Sequence, residues 1–369
     1  MKSKAKILVL GPIPPPYMGP SVATEIILNS GLKEEFELIH LDTSDHRDLR
    51  RLGAVDFQNV SLALRHYLAL FWRVLTKEPD IVYMPLSQTT VGYLRDAGFI
   101  LVSKVLGRRV VCHLRGGNFR NWFDSARPLT RWFVRTVHSL VDGQIVLCER
   151  HRSLFFRIMP PERVFAVSNG RDFEVGFRRV NHRKKVRILH LANRMKTKGV
   201  LDTLRAVPSV HSSHSHAEFV FSGHWVEEST RAEFEAFLKE SPHLPVVVTG
   251  PVSGRGKHRL LASSDIFVFP TYYPPEGHPW VLVEAMAYGL PIVSTDHGCI
   301  RECVIDGFNG FLVEKQNPRE IAERLNLLVA DASLRRRMAE NSRRHYESHF
   351  TERHLVEGLA ACFKAVCRM

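Results

Sequence analysis

Ten short runs of Val, Ile, Leu and aromatic residues, separated by helix-length segments, constrain this chain more than any other feature. Five fall in the first half, at 6–10, 37–41, 80–84, 109–113 and 143–147. Five more follow at 186–191, 217–221, 245–249, 266–269 and 291–294. Runs this short and this continuously apolar read as strands buried on both faces, and strands alternating with helices pair in parallel. The predicted class is α/β, with two Rossmann-like doubly wound parallel-sheet domains facing a cleft. Ligands of such sheets bind beyond the carboxyl ends of the strands.

The chain has 369 residues, 44% of them hydrophobic, enough for two sizeable cores. Between the two sets of runs lies a basic interval, 176–185, with Arg178, Arg179, Arg183, Lys184 and Lys185. It marks a boundary between a first domain over 1–180 and a second over 181–350. An amphipathic terminal helix is expected within 351–369.

Chemistry concentrates after the run at 266–269. The segment Glu276-Gly277-His278-Pro279-Trp280-Val-Leu-Val-Glu284 sets two carboxylates eight residues apart across a loop-to-helix junction. Pro279 suits the first helical turn, where a missing N–H costs nothing. The helix amino terminus directs free N–H groups and a positive dipole end at the crevice. A diphosphate belongs there, and flanking carboxylates suit neutral polyols such as a ribose and a sugar ring. Together these features describe a site for a nucleotide-diphosphate sugar.

The same segment resembles the E-x7-E signature of the retaining glycosyltransferases of family four, which have the GT-B fold. Glu284-Ala-Met-Ala-Tyr-Gly-Leu-Pro291 and Gly298-x3-Glu302-x3-Asp306-Gly307-x-Asn309-Gly310 resemble that family too. The resemblance implies that Glu276 faces the transferred sugar, that Glu284 binds the ribose, and that the terminal helix crosses back onto the first domain. Asn193-Arg-Met-Lys-Thr-Lys198-Gly199 is similar to the family's G-R-x4-K-G segment, whose Arg and Lys neutralise the donor diphosphate. Lys198 aligns with that lysine. Asn193 takes the arginine position and Arg194 lies one residue late, which turns a strand residue to the opposite face unless the loop beyond the strand turns it back. His113-Leu-Arg115-Gly resembles an H-G element whose His contacts the sugar. By register Arg115 holds that place, and His113 is the other candidate, although a packed core histidine fits His113 equally well.

Gly11-Pro-Ile-Pro-Pro-Pro-Tyr-Met18-Gly19 resembles a G-x2-P-P-x2-G-G loop over the donor phosphates. It offers either close backbone approach at Gly19 or a plain turn before a helix near Ser21. Ser168-Asn169-Gly170 resembles a P-N-G segment near the hinge and reads as structural. Gly223 and Gly250 end strands where the family's nucleotide base sits, and glycine there permits close approach. No D-x-D motif occurs, so neither metal nor other cofactor is expected. Lys198, Arg194 and helix-terminal amides would then hold the diphosphate.

Charge is uneven. Residues 1–183 hold 27 Lys and Arg against 17 Asp and Glu, a net +10 within a total of +13. A basic first half fits an acidic partner. No nucleic-acid module accompanies it, so an anionic membrane surface is the expected partner and nucleic acid is not. Arg127–Leu140 and Ser61–Leu75 suit such a surface, although helices of this composition also serve as core-facing elements of a Rossmann-like domain. No run approaches a membrane span or a signal-peptide core. Six cysteines at irregular spacing suggest a reducing compartment. The expected setting is cytoplasmic, peripheral on the inner face of the cell membrane.

These readings converge on a metal-independent, retaining hexosyltransferase of polysaccharide biosynthesis, acting on a glycan or lipid-linked acceptor. A catalytically silent GT-B-like scaffold and a sugar-nucleotide epimerase are the alternatives. The departures at Met18, Asn193 and Arg115 keep the first alternative open.

Overall fold

The computed structural model describes residues 4–15, 19–44, 57–173 and 185–369. Met18 and most of the basic interval, with the expected boundary at 180/181, lie outside them. The chain divides into two compact units, Met1–Arg171 with Glu352–Met369, and Asp172–Thr351.

The first unit has strands β1 (Lys6–Gly11), β2 (Glu37–Asp42), β3 (Ile81–Leu86), β4 (Arg109–Leu114), β5 (Gly143–Val146) and β6 (Val164–Ala166). They form one parallel sheet in the order β2-β1-β3-β4-β5-β6. The terminal helix Glu352–Arg368 packs on this sheet. Phe363 meets Phe36 and Tyr83 edge-on at 5.7 and 5.8 Å, and a Cβ at Gly143 would stand 2.9 Å from Val366. The helix expected near Ser21 begins at Gly19. It lies so close to β1 that a Cβ at Gly11 would reach the Thr24 hydroxyl at 2.5 Å.

The second unit has β7 (Val186–Leu191), β8 (Ala217–Ser222), β9 (Val246–Thr249), β10 (Ile266–Phe269), β11 (Ile292–Thr295) and β12 (Gly310–Val313). Their order is β12-β11-β10-β7-β8-β9, again all parallel. Alternate residues divide between its two faces. Ile188, Phe219, Ile266 and Val268 pack with the helix Val200–Ser213, while Leu189, Val220, Phe267 and Phe269 pack with Trp280–Ala287. Burying a side chain of this size stabilises by about 1.5–3 kcal/mol. Chain order reverses direction between β7 and β10, and the crevice of a doubly wound sheet lies at such a switch point.

The fold has the predicted class, with two strands beyond the ten expected. Both β6 and β12 are short edge strands, and Phe165, Ala166 and Leu312 in them are only half-buried. No helix among the described residues is long and apolar enough to cross a membrane.

Candidate functional site

Two loops meet at the β7/β10 switch point. After β7 a 3₁₀ turn, Lys196–Lys198, ends on Gly199 at φ +76°. A Cβ there would sit 2.4 Å from the Pro270 carbonyl oxygen, so only glycine lets this loop close on the end of β10. The Tyr272 amide donates to the Thr197 carbonyl at 2.8 Å. The closure delivers Lys198 to Glu276, with Nζ 2.5 Å from Oε2. Thr271 Oγ1 donates to the same oxygen at 3.2 Å. The ammonium also stands 4.4 Å over the Tyr273 ring, a favourable cation–π placement. The pair is largely buried, at 16% and 10% exposure. Removing one member would leave an uncompensated charge.

Beneath this pair, His190 on β7 faces the Lys198 carbonyl through Nε2 at 3.2 Å, so Nε2 carries the proton. Burial holds its pKa down at about 4, with Arg194 and Lys198 pushing the same way against the hydrogen bond. It is a neutral donor that pins the loop.

Residues after β11 fix the Glu276 loop. Gly298, at φ +58°, lies so near that a Cβ would be 2.5 Å from the Glu276 carbonyl oxygen. The Cys299 amide donates to the Gly277 carbonyl at 3.0 Å, and His297 Nε2 meets the Tyr273 carbonyl at 2.7 Å. Pro279 is the N-cap rather than a residue of the first turn, and the helix runs Trp280–Ala287 with Trp280 half-buried. His278 turns inward, 3% exposed, its Nε2 3.1 Å from Cys303 Sγ. Its side chain therefore packs in the unit, and what this stretch offers a ligand is backbone N–H. Glu284 is ion-paired through Oε1 to Lys257, from the helix Gly254–Ala262. Its Oε2 is buried without a hydrogen-bond partner.

The segment after β7 begins with Asn193, which is exposed. Arg194 is 4% exposed and lies against Trp225, its guanidinium carbon 4.2 Å from the ring centre. Nη2 donates to the Gly223 carbonyl at 2.6 Å, while Nε and Nη1 are buried without a partner. Burial pulls its pKa down, helped by Arg231. Gly223, at φ +147°, would place a Cβ 1.8 Å from the Ala192 carbonyl oxygen, so glycine here serves the approach of two strand ends.

His113, Arg115 and Gly19 belong to the first unit. His113 is fully buried, with Nδ1 2.7 Å from the Tyr83 hydroxyl. Burial drives its pKa well below the usual value, and Arg115 adds to this. Arg115 donates to the Tyr83 hydroxyl at 2.9 Å and to Asn169 Oδ1 at 3.1 Å. The Tyr83 proton is thereby directed to His113, whose Nε2 is left buried without a partner. A Cβ at Gly19 would meet nothing within 4 Å, so packing does not demand glycine there.

Sequence reasoning missed Thr271 and Lys257. Thr271 was marked only by following Pro270 at the end of β10. Lys257 lay in the basic segment Gly254-Arg-Gly-Lys257, whose spacing says nothing of Glu284.

Residues 173–345 match the family model described as glycosyl transferases group 1. Spore coat protein SA of Bacillus subtilis (strain 168) is 30% identical over 190 residues, 50% of this chain and 49% of that protein. Capsular polysaccharide biosynthesis glycosyltransferase CapM of Staphylococcus aureus is 27% identical over 172 residues, 46% of this chain and 43% of the relative. The chain thus spans about half the length of these curated relatives. The crystal structure of Anabaena Alr3699/HepE in complex with UDP and glucose superposes with a TM-score of 0.71 at 15% identity, covering 98% of this chain and 99% of that one. At that identity the likeness is one of fold, and it extends over both units.

Proposed function

We propose that this chain, whose residues 173–345 match the group 1 glycosyl transferases and which has the GT-B fold, transfers a hexose from a nucleotide-diphosphate sugar to an acceptor hydroxyl. The transfer retains anomeric configuration and needs no metal. The observation that carries this reading is the Lys198–Glu276 pair at the β7/β10 switch point, beside the amino terminus of the helix that bears Glu284.

With the site empty of substrate, Lys198 and Glu276 neutralise one another. An arriving diphosphate takes over the ammonium, and Glu276 is released to accept hydrogen bonds from the sugar hydroxyls. As the anomeric C–O bond breaks, negative charge grows on the leaving diphosphate. Lys198 and the free N–H groups at Trp280 and Val281 stabilise it. Stabilising a charge that develops in the transition state is commonly the largest catalytic contribution. The acceptor hydroxyl attacks from the face the diphosphate leaves, and its proton passes to the departing phosphate oxygen. Glu276 orients sugar hydroxyls and forms no covalent bond. Glu284 accepts from the ribose through the oxygen that lacks a partner, with Lys257 holding the other. Arg194 is the second candidate cation for the phosphates, through Nε and Nη1, which lack a partner. The first unit carries acceptor recognition; its Arg115 and His113 are the candidates for the transferred sugar, and Gly19 for a backbone contact to the donor. HepE, whose structure holds UDP and glucose, makes a uridine nucleotide the first donor to try. The acceptor is a glycan or lipid-linked glycan at an anionic membrane surface.

Nucleotide release from UDP-, GDP- and ADP-sugars, with and without EDTA, tests this reading. One donor is expected to be turned over regardless of chelator. Lys198→Ala and Glu284→Ala should each lower its turnover by about a hundredfold or more, and near-wild-type rates would overturn the assignment. The anomeric configuration of the product decides retention. Release of nucleotide with no sugar bonded to any acceptor would favour the epimerase.

A further inference from the structure

Three helices of the first unit turn apolar stripes outward. Phe57–Lys77 exposes Leu64, Leu68, Phe71, Trp72 and Leu75. That spacing, i, i+4, i+7, i+8, i+11, is one continuous helical stripe. The other side of the same helix buries Leu70 and Val74 in the core, so the exposed stripe is surplus to folding. Thr90–Val105 packs beside it and exposes Leu94, Leu101 and Val105. Pro128–His138 packs against Thr90–Val105 in turn and exposes Leu129 and Trp132. The two tryptophans are 61% and 62% exposed and Val105 is 85% exposed. Single exposed apolar groups are ordinary, whereas adjoining stripes mark a binding surface.

Charge identifies what binds. Phe57–Lys77 and Pro128–His138 carry Arg65, Arg73, Lys77, Arg131 and Arg135 and no acidic residue. The acid of the middle helix, Asp96, is buried and ion-paired to Arg95. We infer that this three-helix face docks on an anionic lipid bilayer. Trp72 and Trp132 sit at the headgroup boundary, the aliphatic residues reach the acyl chains, and the Arg and Lys side chains meet lipid phosphates. Apolar stripes edged with Lys, Arg and Trp and free of acids are the pattern of interfacial helices. The longest stripe, on a helix about 30 Å long, lies flat rather than spanning. The inference rests on the proposed transfer only for its purpose, a membrane-held acceptor; the face itself is argued from its own residues.

Co-sedimentation of the full chain with vesicles of phosphatidylcholine, with and without about one third phosphatidylglycerol, tests it. Binding is expected to the anionic vesicles alone, weakening with salt, with a blue shift of tryptophan fluorescence. The double variants Leu68→Ser/Trp72→Ser and Arg73→Glu/Arg131→Glu should each bind about tenfold more weakly or worse. Because Leu68, Trp72 and Arg73 are exposed and Arg131 is half-exposed, with none of them in the donor site, folding and donor turnover should match wild type. Absence of vesicle binding, or equal binding by wild type and variants, would overturn the inference. So would self-association that Leu68→Ser/Trp72→Ser abolishes without any vesicle binding, which would assign the face to a second copy. Failure of donor turnover with vesicle binding intact would count against the transferase reading alone.

Discussion

The two units share an architecture, six parallel strands in a doubly wound sheet, and differ in what they show to solvent. Helices of the second unit carry exposed ion pairs one turn apart: Arg231 with Glu235, Arg319 with Glu323 and Arg343 with Glu347. Such pairs add only a few tenths of a kcal/mol each, but they mark faces built for water. The corresponding faces of Phe57–Lys77 and Pro128–His138 are apolar and basic. In the second unit the unusual residues lie in loops at strand ends, where Lys198 meets Glu276 and glycines permit backbone contact. One sheet thus gathers a charged pair between glycine-bearing loops at its carboxyl edge, and the other unit presents a broad helical surface. The fold does not dictate which; the residues grafted on it do.

A glycine from each unit gives the sharpest test of that contrast. Gly199 is left-handed and would drive a Cβ into the Pro270 carbonyl oxygen, whereas a Cβ at Gly19 meets open space. Gly199→Ala should cost about 3 kcal/mol or more, combining left-handed strain with displacement of backbone. Gly19→Ala should stay within about 0.5 kcal/mol. Chemical denaturation measures both. A stable Gly199→Ala protein would mean that the Lys198 loop tolerates opening and that the site is less fixed than its hydrogen bonds suggest. Lost donor turnover in a fully stable Gly19→Ala protein would instead point to a ligand approaching that backbone.

The same contrast explains what could be read before folding. Strands such as Ile266–Phe269, buried on both faces, announce themselves as continuous apolar runs. Val164–Ala166 and Gly310–Val313 are apolar too, but so short that their runs do not stand apart from the segments around them. Glu276 and Glu284 were legible because their spacing follows from one loop and one helix, and Lys198 through the resemblance of its segment to the family's G-R-x4-K-G element. Lys257 and Thr271 were not, since each reaches its carboxylate only when separate elements fold together. Arg194 was half legible. Its displacement by one residue raised the question of facing, but only packing against Trp225 and the Gly223 carbonyl shows where the guanidinium goes. His278 looked like part of a binding loop and is turned into the unit toward Cys303. The outward stripe on Phe57–Lys77 was ambiguous for a related reason, as a helix apolar on two sides gives no sign of which side the sheet covers.

Lys257 sharpens the comparison from the side of the second unit. It is the ion partner of Glu284, whose second oxygen is already unpartnered. Lys257→Ala should raise the donor KM about tenfold, near 1.4 kcal/mol, and change kcat much less, because the carboxylate loses its anchor before chemistry begins. Lys257→Arg should recover most of the loss. Vesicle binding should be unaffected, since the residue lies in the second unit. A fall in kcat at constant KM would mean that Lys257 acts on the transition state and not through Glu284.

A further test concerns a property both units share, a buried neutral histidine. His138 in the first unit lies between Tyr93 and Gln144. Burial lowers its pKa to about 4, with the Gln144 hydrogen bond opposing. His190 in the second unit is lowered to about 4 in the same way. In the unfolded chain each would titrate near 6.5. As pH falls below that value, the unfolded state takes up protons that the folded state refuses, so stability is present above it and is lost toward pH 4. Each histidine should contribute a slope approaching about 1.4 kcal/mol per pH unit across that window. Urea midpoints measured between pH 7 and pH 5 should therefore fall, and His138→Gln or His190→Gln should each flatten the fall by one proton's worth. Gln can still donate to the Lys198 carbonyl in place of His190 Nε2, so its loss of stability at pH 7 should be modest and the pH slope is the diagnostic. If only the His190 variant flattened the profile, the two interiors would differ in how they exclude charge, and the division between the units would reach below their surfaces.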